Sequence, residues 1–298
     1  LGRRVAVKVL PFHSLMDGRL LDRFRREAKA AASLQHPGIV PVIGLGEDGG
    51  VHFYAMQFVD GAGLDQVVRE VKRLSREDGS SGSRETPAEC ESPGRVLALG
   101  LLHGQRRLSR GYFEGVARLV KDAAEALAYA HDQGVLHRDI KPSNLMLDSS
   151  RKVWVTDFGL AKAEGSDDLT RSGELLGTLR YMAPESLHGA SDRRSDIYSL
   201  GVTLHELLTL EPAFSGENRA DLLQQVSAGT PRLPRQVNRH IPRPLETIVL
   251  KATCRDPINR YQSSAELAAD LDRFLEGRRV APRLPLFDTR LRRYVIAK

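Results

Sequence analysis

One stretch narrows what this chain can become more than any other: His137-Arg138-Asp139-Ile140-Lys141-Pro142-Ser143-Asn144. Asp157-Phe158-Gly159 begins thirteen residues after Asn144, and Ala183-Pro184-Glu185 follows further on. The octapeptide sets a carboxylate, an amide and two cations close together, and Asp157 adds a second carboxylate. These groups suit the handling of phosphate. Magnesium takes hard oxygen ligands and few protein groups, so one carboxylate and one amide carbonyl meet its needs. Phosphoryl transfer is mostly positioning and charge neutralisation, and the attacking hydroxyl needs an acceptor for its proton. Asp139 fits that acceptor, and Asn144 and Asp157 fit the metal ligands. A lone His-Arg-Asp reads as a surface ion pair. The full octapeptide with Asp-Phe-Gly at this distance is not a coincidence.

Bulk properties exclude several alternatives. At 298 residues the chain can bury a substantial core as one large domain or two lobes. No apolar run reaches the roughly 18 residues needed to span a bilayer, and the first residues lack the apolar core of a secretory signal. Cys90 and Cys254 are too few for a disulfide framework and too isolated for a zinc site, so free thiols in a reducing cytosol are expected. The net charge of +6 comes from 44 basic residues dispersed among 38 acidic ones. With no basic stripe interleaved with aromatics, a nucleic-acid partner is not expected. Only the tail, at Arg278-Arg279 and Arg290 to Arg293, is locally basic.

Along the chain, strand-like segments come first and helical periodicity follows. Arg4 to Leu10 alternates with β-branched residues, and Leu20 to Leu34 reads as a helix with Leu21, Phe24, Ala28 and Ala31 on one face. Two strands, near Val40 to Leu45 and Val51 to Phe58, flank a turn at Gly46 to Gly50. Helices are expected over Tyr112 to Asp132, Asp196 to Leu210, Arg219 to Ala228, Pro244 to Cys254 and Ser264 to Leu275. Between 75 and 93 the composition turns to Ser, Gly, Glu, Asp and Pro, the signature of a disordered surface insertion, with a short apolar patch at Val96 to Leu102 after it. Gly44 to Gly49 matches the G-x-G-x-x-G pattern that cradles phosphates, but it joins two strands rather than opening a helix, so it is expected to be a hairpin turn.

Taken together, the three motifs and Val5-Ala6-Val7-Lys8, ahead of a helix bearing Glu27, resemble the bacterial eukaryote-like serine/threonine protein kinases from Val5 to about Leu275. The resemblance implies an α+β, bilobal protein-kinase-like fold. A small strand-rich N-lobe, truncated and with one helix, precedes a large helical C-lobe. The implied division is 1–60 for the partial N-lobe and hinge, 61–277 for the C-lobe with a flexible insertion at about 75–110, and 278–298 for a basic tail. It implies ATP in the cleft with Mg2+, or Mn2+ as an alternative. Lys8 would grip the α- and β-phosphates and pair with Glu27. Met56 aligns with the gatekeeper, Gln57, Phe58 and Val59 with the hinge, and Ala6 and Met146 with the residues sandwiching adenine. Lys141, two residues after Asp139, and Thr178 in Gly177-Thr178-Leu179-Arg180-Tyr181 imply serine/threonine acceptors. His137, Phe158 and Gly159 complete the motifs as supports. Glu185 would pair with Arg260, and Asp196 would bond the catalytic-loop backbone. Arg138 beside the base implies regulation by a phosphorylated activation loop, with Thr170 and Ser172 as candidates. Protein substrates, a kinase homodimer for trans-autophosphorylation and a cytoplasmic location complete the expectation.

The sequence departs from this pattern at both ends. Two strands and a glycine-rich loop expected ahead of Leu1 are not present, and the tail resembles the juncture where related kinases lead into a juxtamembrane segment. A fragment of a longer protein, with weak or absent activity, is the expectation. The alternative function is a catalytically incompetent pseudokinase or interaction scaffold, against which the retained Lys8, Asp139, Asn144 and Asp157 argue.

Overall fold

Alternating β-branched residues build the first sheet, in which β1 (Val5–Val9) and β2 (Val42–Asp48) both pair antiparallel with β3 (Val51–Gln57), in the order β1-β3-β2. Period-two alternation sends Val5, Val7 and Val9 outward, 39–52% exposed, and leaves Ala6 and Lys8 on the opposite face. In register, Ala6 faces Met56 and Lys8 faces Tyr54, so these four residues share one face. The computed structural model describes residues 2–9, 18–76, 92–103, 108–158, 177–216, 218–229 and 231–280. Within α1 (Gly18–Ala32) the side chains of 18–21, 23, 24 and 27 lie outside that description, so Leu21 and Phe24 are not placed. Ala28 and Ala31 are buried.

The hairpin expected around the glycine pattern is present, but its turn is shorter and later. β2 runs on to Asp48, and Gly49 and Gly50 make the turn at φ 55° and 79°. A two-residue hairpin turn needs positive φ at both positions, which glycine adopts without steric cost.

A second antiparallel sheet, in the order β4-β5-β6, holds β4 (Gly61–Gly63), β5 (Leu145–Asp148) and β6 (Val153–Val155). Ile39 bridges Val155 in parallel, with hydrogen bonds from Val40 N to Val155 O (3.0 Å) and from Val155 N to Gly38 O (2.8 Å). The segment after α1 is thereby tied to the strand that ends just before Thr156 and Asp157.

The helices that follow are α2 (Leu64–Arg76), α3 (Pro93–Leu101), α4 (Arg110–Asp132), α5 (Arg193–Thr209), α6 (Arg219–Ala228), α7 (Pro234–Val237), α8 (Arg243–Ala252) and α9 (Ser264–Leu275). α3 falls inside the 75–110 span expected to be a flexible insertion, on the apolar patch that follows its Ser-, Gly- and Pro-rich part. Ser92 caps it, accepting from Arg95 N, and Leu97, Ala98 and Leu101 bury its inner face against α2. The flanking residues 77–91, with Cys90, lie outside the described residues.

α5 is buried nearly all round, as a helix at the centre of a lobe must be. Asp192 and Ser195 form a reciprocal capping box at its start. At Gly201 a Cβ would stand 2.6 Å from the Cβ of Ala252, so glycine is what lets α5 approach α8. Leu210, at φ 59°, ends the helix where the periodicity predicts. No helix among the described residues is long and apolar enough to cross a membrane.

His205 on α5 has no exposed surface, and its Nε2 lies 2.8 Å from Arg232 O. Burial pushes its pKa down to about 4, against weaker raising contributions from the Arg232 and Glu211 backbone. The unfolded chain therefore binds a proton below about pH 6.5 that the folded chain refuses until about pH 4. Stability is full above that window and lost as the pH falls through it. From pH 7 to pH 5 this group should remove about 2 kcal/mol. Chemical denaturation at the two pH values, repeated on His205→Gln, checks it: the pH-dependent loss should shrink by that amount in the variant.

Candidate active site

The polar side chains from distant parts of the chain gather at the junction of the two sheets. Lys8 Nζ, on β1, lies 2.6 Å from Asp157 Oδ1, a pair separated by 149 residues in sequence. The Tyr54 hydroxyl, on β3, donates to the same oxygen at 2.9 Å. Asp157 takes a left-handed backbone, φ 61°, an unusual conformation for a residue other than glycine. Burial alone would raise its carboxyl pKa. The Lys8 cation and the donors from Lys8 and Tyr54 outweigh that and hold it below the usual carboxylate range.

The loop from His137 to Asn144 forms the second group. Asn144 Nδ2 donates to both Asp139 O (2.7 Å) and Asp139 Oδ2 (3.0 Å). Lys141 Nζ lies 2.9 Å from Asp139 Oδ2 and donates to Thr178 Oγ1 at 3.0 Å. The two groups are joined through backbone, since Thr156 N donates to Asn144 O at 3.0 Å and Thr156 precedes Asp157.

Below this loop lies a buried support. Asp196 Oδ2 accepts from His137 N (2.9 Å), its Oδ1 accepts from Arg138 N (2.7 Å), and His131 Nε2 lies 2.8 Å from Oδ2. Burial would raise Asp196, but His131 and the His137 amide bring it below its ordinary value. These bonds hold Arg138 at φ 64°, a conformation that a bulky residue keeps only under outside constraint. His137 is fixed as the Nε2-protonated neutral tautomer. Its Nε2 faces Thr156 O at 2.8 Å, an acceptor only, and its Nδ1 accepts from Asp139 N at 3.2 Å. Burial keeps its pKa low. The ring of Phe158 packs against it with centroids 4.7 Å apart.

Glu185 and Arg260 form a bidentate pair at 2.6 and 2.8 Å. Arg260 also donates to Cys254 O, Arg194 O and Arg255 O. Met56 is half-buried on β3 and leads into Gln57, Phe58 and Val59, where Gln57 N bonds Pro41 O at 3.0 Å and Arg4 lies over the Phe58 ring. Met146 is half-buried on β5, opposite Trp154. Gly159, Thr170 and Ser172 lie outside the described residues, as does the Glu27 side chain and with it the expected Lys8–Glu27 pair.

The sequence motifs did not mark Tyr54, His131 or Ser264. Ser264 Oγ lies 3.3 Å from His131 Nδ1, so it extends the Asp196 support. Only the two-residue alternation that puts Tyr54 and Met56 on one face of β3 hinted at the first.

The donor set fits a hard divalent cation shared with phosphate. The Asn144 amide nitrogen is committed to Asp139, which turns Oδ1 into the remaining acceptor, and both contacts to Asp157 fall on Oδ1. Among the described residues neither Asn144 Oδ1 nor Asp157 Oδ2 accepts a hydrogen bond. Among them also no three His, Cys, Asp or Glu side chains gather as a metal cage. A magnesium ion there would draw its other ligands from a phosphate and water.

The family profile described as "Protein kinase domain" matches residues 1–270. The chain is 34% identical over 273 residues to the serine/threonine-protein kinase PrkC of Bacillus subtilis, covering 91% of this chain and 36% of that protein. It is 36% identical over 283 residues to the serine/threonine-protein kinase PknB of Mycobacterium leprae, covering 93% and 40%. The chain thus spans about two fifths of the length of these curated relatives. Among solved structures, the PknI kinase domain of Mycobacterium tuberculosis superposes with a TM-score of 0.62 at 26% identity, over 91% of this chain and 86% of that one.

Proposed function

The chain belongs to the protein kinase domain family, and from that premise we propose that it transfers the γ-phosphoryl group of ATP to serine and threonine hydroxyls of protein substrates. The observation that carries this reading is the Lys8–Asp157 pair at 2.6 Å, joined through Thr156 and Asn144 to the Asp139–Lys141 pair at 2.9 Å. Two cations, two carboxylates and an amide so joined match a metal-bound triphosphate and an acceptor hydroxyl.

Asp139 orients the acceptor hydroxyl and takes its proton as the oxygen attacks the γ-phosphorus and the bond from that phosphorus to the bridging oxygen breaks, so that ADP leaves with the bond's electron pair. Lys141 balances the charge that develops, and Thr178 holds Lys141. Asn144 Oδ1 and the Asp157 carboxylate would hold Mg2+, or Mn2+ in its place. That ion, when bound, neutralises and orients the phosphate oxygens. Lys8 reaches the α- and β-phosphates, Ala6 and Met146 enclose adenine beneath Met56, and the backbone of Gln57, Phe58 and Val59 meets its edge. Arg138 is the receptor for a phosphate placed on Thr170 or Ser172 by a second copy of the chain. The location is cytoplasmic.

Slow transfer is expected of these 298 residues. Among the described residues β1 stands at the edge of its sheet, and the Lys8 side chain keeps 34% exposure, so water reaches the phosphate subsite. One observation favours a non-catalytic scaffold instead: Lys8 and Asp157 satisfy each other directly, and a metal-bound nucleotide must part them.

Incubation with γ-labelled ATP and a basic protein, followed by phosphoamino-acid analysis, separates the two. The kinase reading predicts magnesium-dependent phosphoserine and phosphothreonine, no phosphotyrosine, and none of either in Asp157→Ala. Magnesium-dependent nucleotide binding without any label transfer would favour the scaffold.

A further inference from the structure

Tyr54 lies in no motif, yet its hydroxyl and the Lys8 ammonium meet on one oxygen, Asp157 Oδ1, at 2.9 and 2.6 Å. The two donors are cross-strand partners on β1 and β3, so they rise from one face of the sheet onto a carboxylate 103 residues beyond Tyr54. Tyr54 is 1% exposed. The phenol carries the O–H and Asp157 Oδ1 is a carboxylate oxygen, so the phenol is the donor.

The two donors have different fates on the ATP reading, on which this inference rests. Lys8 is a charged group on a long side chain, and a triphosphate draws it away from Asp157. The neutral phenol carries no charge for a triphosphate to attract. With Lys8 gone, it is the donor among the described residues that continues to fix Oδ1, leaving Oδ2 available to a metal. Asp157 needs an external hold of this kind, because its own backbone is in the sparsely populated left-handed region.

We propose that Tyr54 is a positioning residue for the metal–nucleotide site: it keeps Asp157 aimed at the metal after Lys8 moves to the phosphates. A tyrosine that merely filled space would be replaced by phenylalanine without loss.

Calorimetric titration of the 298-residue chain with adenosine, and with a non-hydrolysable ATP analogue with and without magnesium, tests this in wild type, Tyr54→Phe, Asp157→Ala and the double variant. Tyr54→Phe should bind adenosine within about twofold of wild type but the magnesium–analogue complex about tenfold more weakly, the usual effect of losing a hydrogen bond to a charged group. In the Asp157→Ala background the same change should do nothing more. Unchanged or tighter magnesium–analogue binding by Tyr54→Phe would overturn the proposal. So would a parallel loss of adenosine binding, which assigns the ring to packing. Wild type lacking any magnesium-dependent affinity would instead sink the ATP reading itself, whereas binding that Asp157→Ala abolishes and Tyr54→Phe spares sinks the Tyr54 role alone.

Discussion

Asp139→Asn should lower the phosphotransfer rate constant by about 100- to 10,000-fold and leave nucleotide affinity within about threefold. The asparagine keeps the shape and one oxygen of the aspartate. That oxygen can still accept from Asn144 Nδ2 and Lys141 Nζ, which now meet Asp139 Oδ2 at 3.0 and 2.9 Å. The main-chain bond from Asn144 to Asp139 O, at 2.7 Å, does not involve the side chain at all. What the amide loses is the capacity to take a proton. The loss should therefore fall on kcat, with KM for ATP and the thermal midpoint nearly unchanged. A fall of less than about tenfold would remove Asp139 from the role of general base.

Arg260→Met should destabilise the fold by about 3–5 kcal/mol, the usual cost of breaking a buried ion pair. The Arg260 side chain has no exposed surface and uses its whole donor fork, on Glu185, Cys254 O, Arg194 O and Arg255 O, while its Cζ lies over the Tyr198 ring, 4.7 Å from the centroid. Methionine fills much of the volume but satisfies none of these acceptors. Burial raises Glu185, and the Arg260 cation and hydrogen bonds more than reverse it, so the folded carboxyl sits below its ordinary value. Its contribution is present above the unfolded carboxylate pKa of about 4.3 and is lost as the pH falls through the lower folded value. Without Arg260, burial prevails and the protonated form is favoured. The deficit should accordingly be largest at neutral pH and narrow towards pH 4, and Glu185→Gln in the same chain should recover part of it. Urea denaturation at pH 7 showing a loss under about 1 kcal/mol would contradict the pair's structural role.

Much of this organisation is legible in local chemistry. α6 and α9 begin and end where the periodicity predicts because their caps are in the sequence: Asn218 accepts from Asp221 N, and Ser263 accepts from Glu266 N in a Ser-x-x-Glu pattern. The motif residues declare themselves through spacing. Other features were hidden for definite reasons. α3 is short and lies beside Ser-, Gly- and Pro-rich chain, and its helix depends on burying Leu97 and Leu101 against α2, a tertiary effect. The hairpin turn slipped because Gly46 invites a turn but sits in β2, while Gly49 and Gly50 carry the positive φ. Tyr54 alternates with Met56 as any core residue would, and nothing local reveals an acceptor 103 residues away. The same holds for His131, whose meeting with Asp196 and Ser264 spans three helices.

On the proposed function, Asn144 and Asp157 share one metal ion at the phosphates of a bound nucleotide. Crystals grown with Mn2+ and a non-hydrolysable ATP analogue, measured for anomalous scattering, address it directly. A manganese peak is expected about 2.1–2.2 Å from both Asn144 Oδ1 and an Asp157 carboxylate oxygen, with Lys8 turned to the phosphates. Ordered nucleotide whose metal contacts neither residue, with Lys8 still on Asp157, would contradict it.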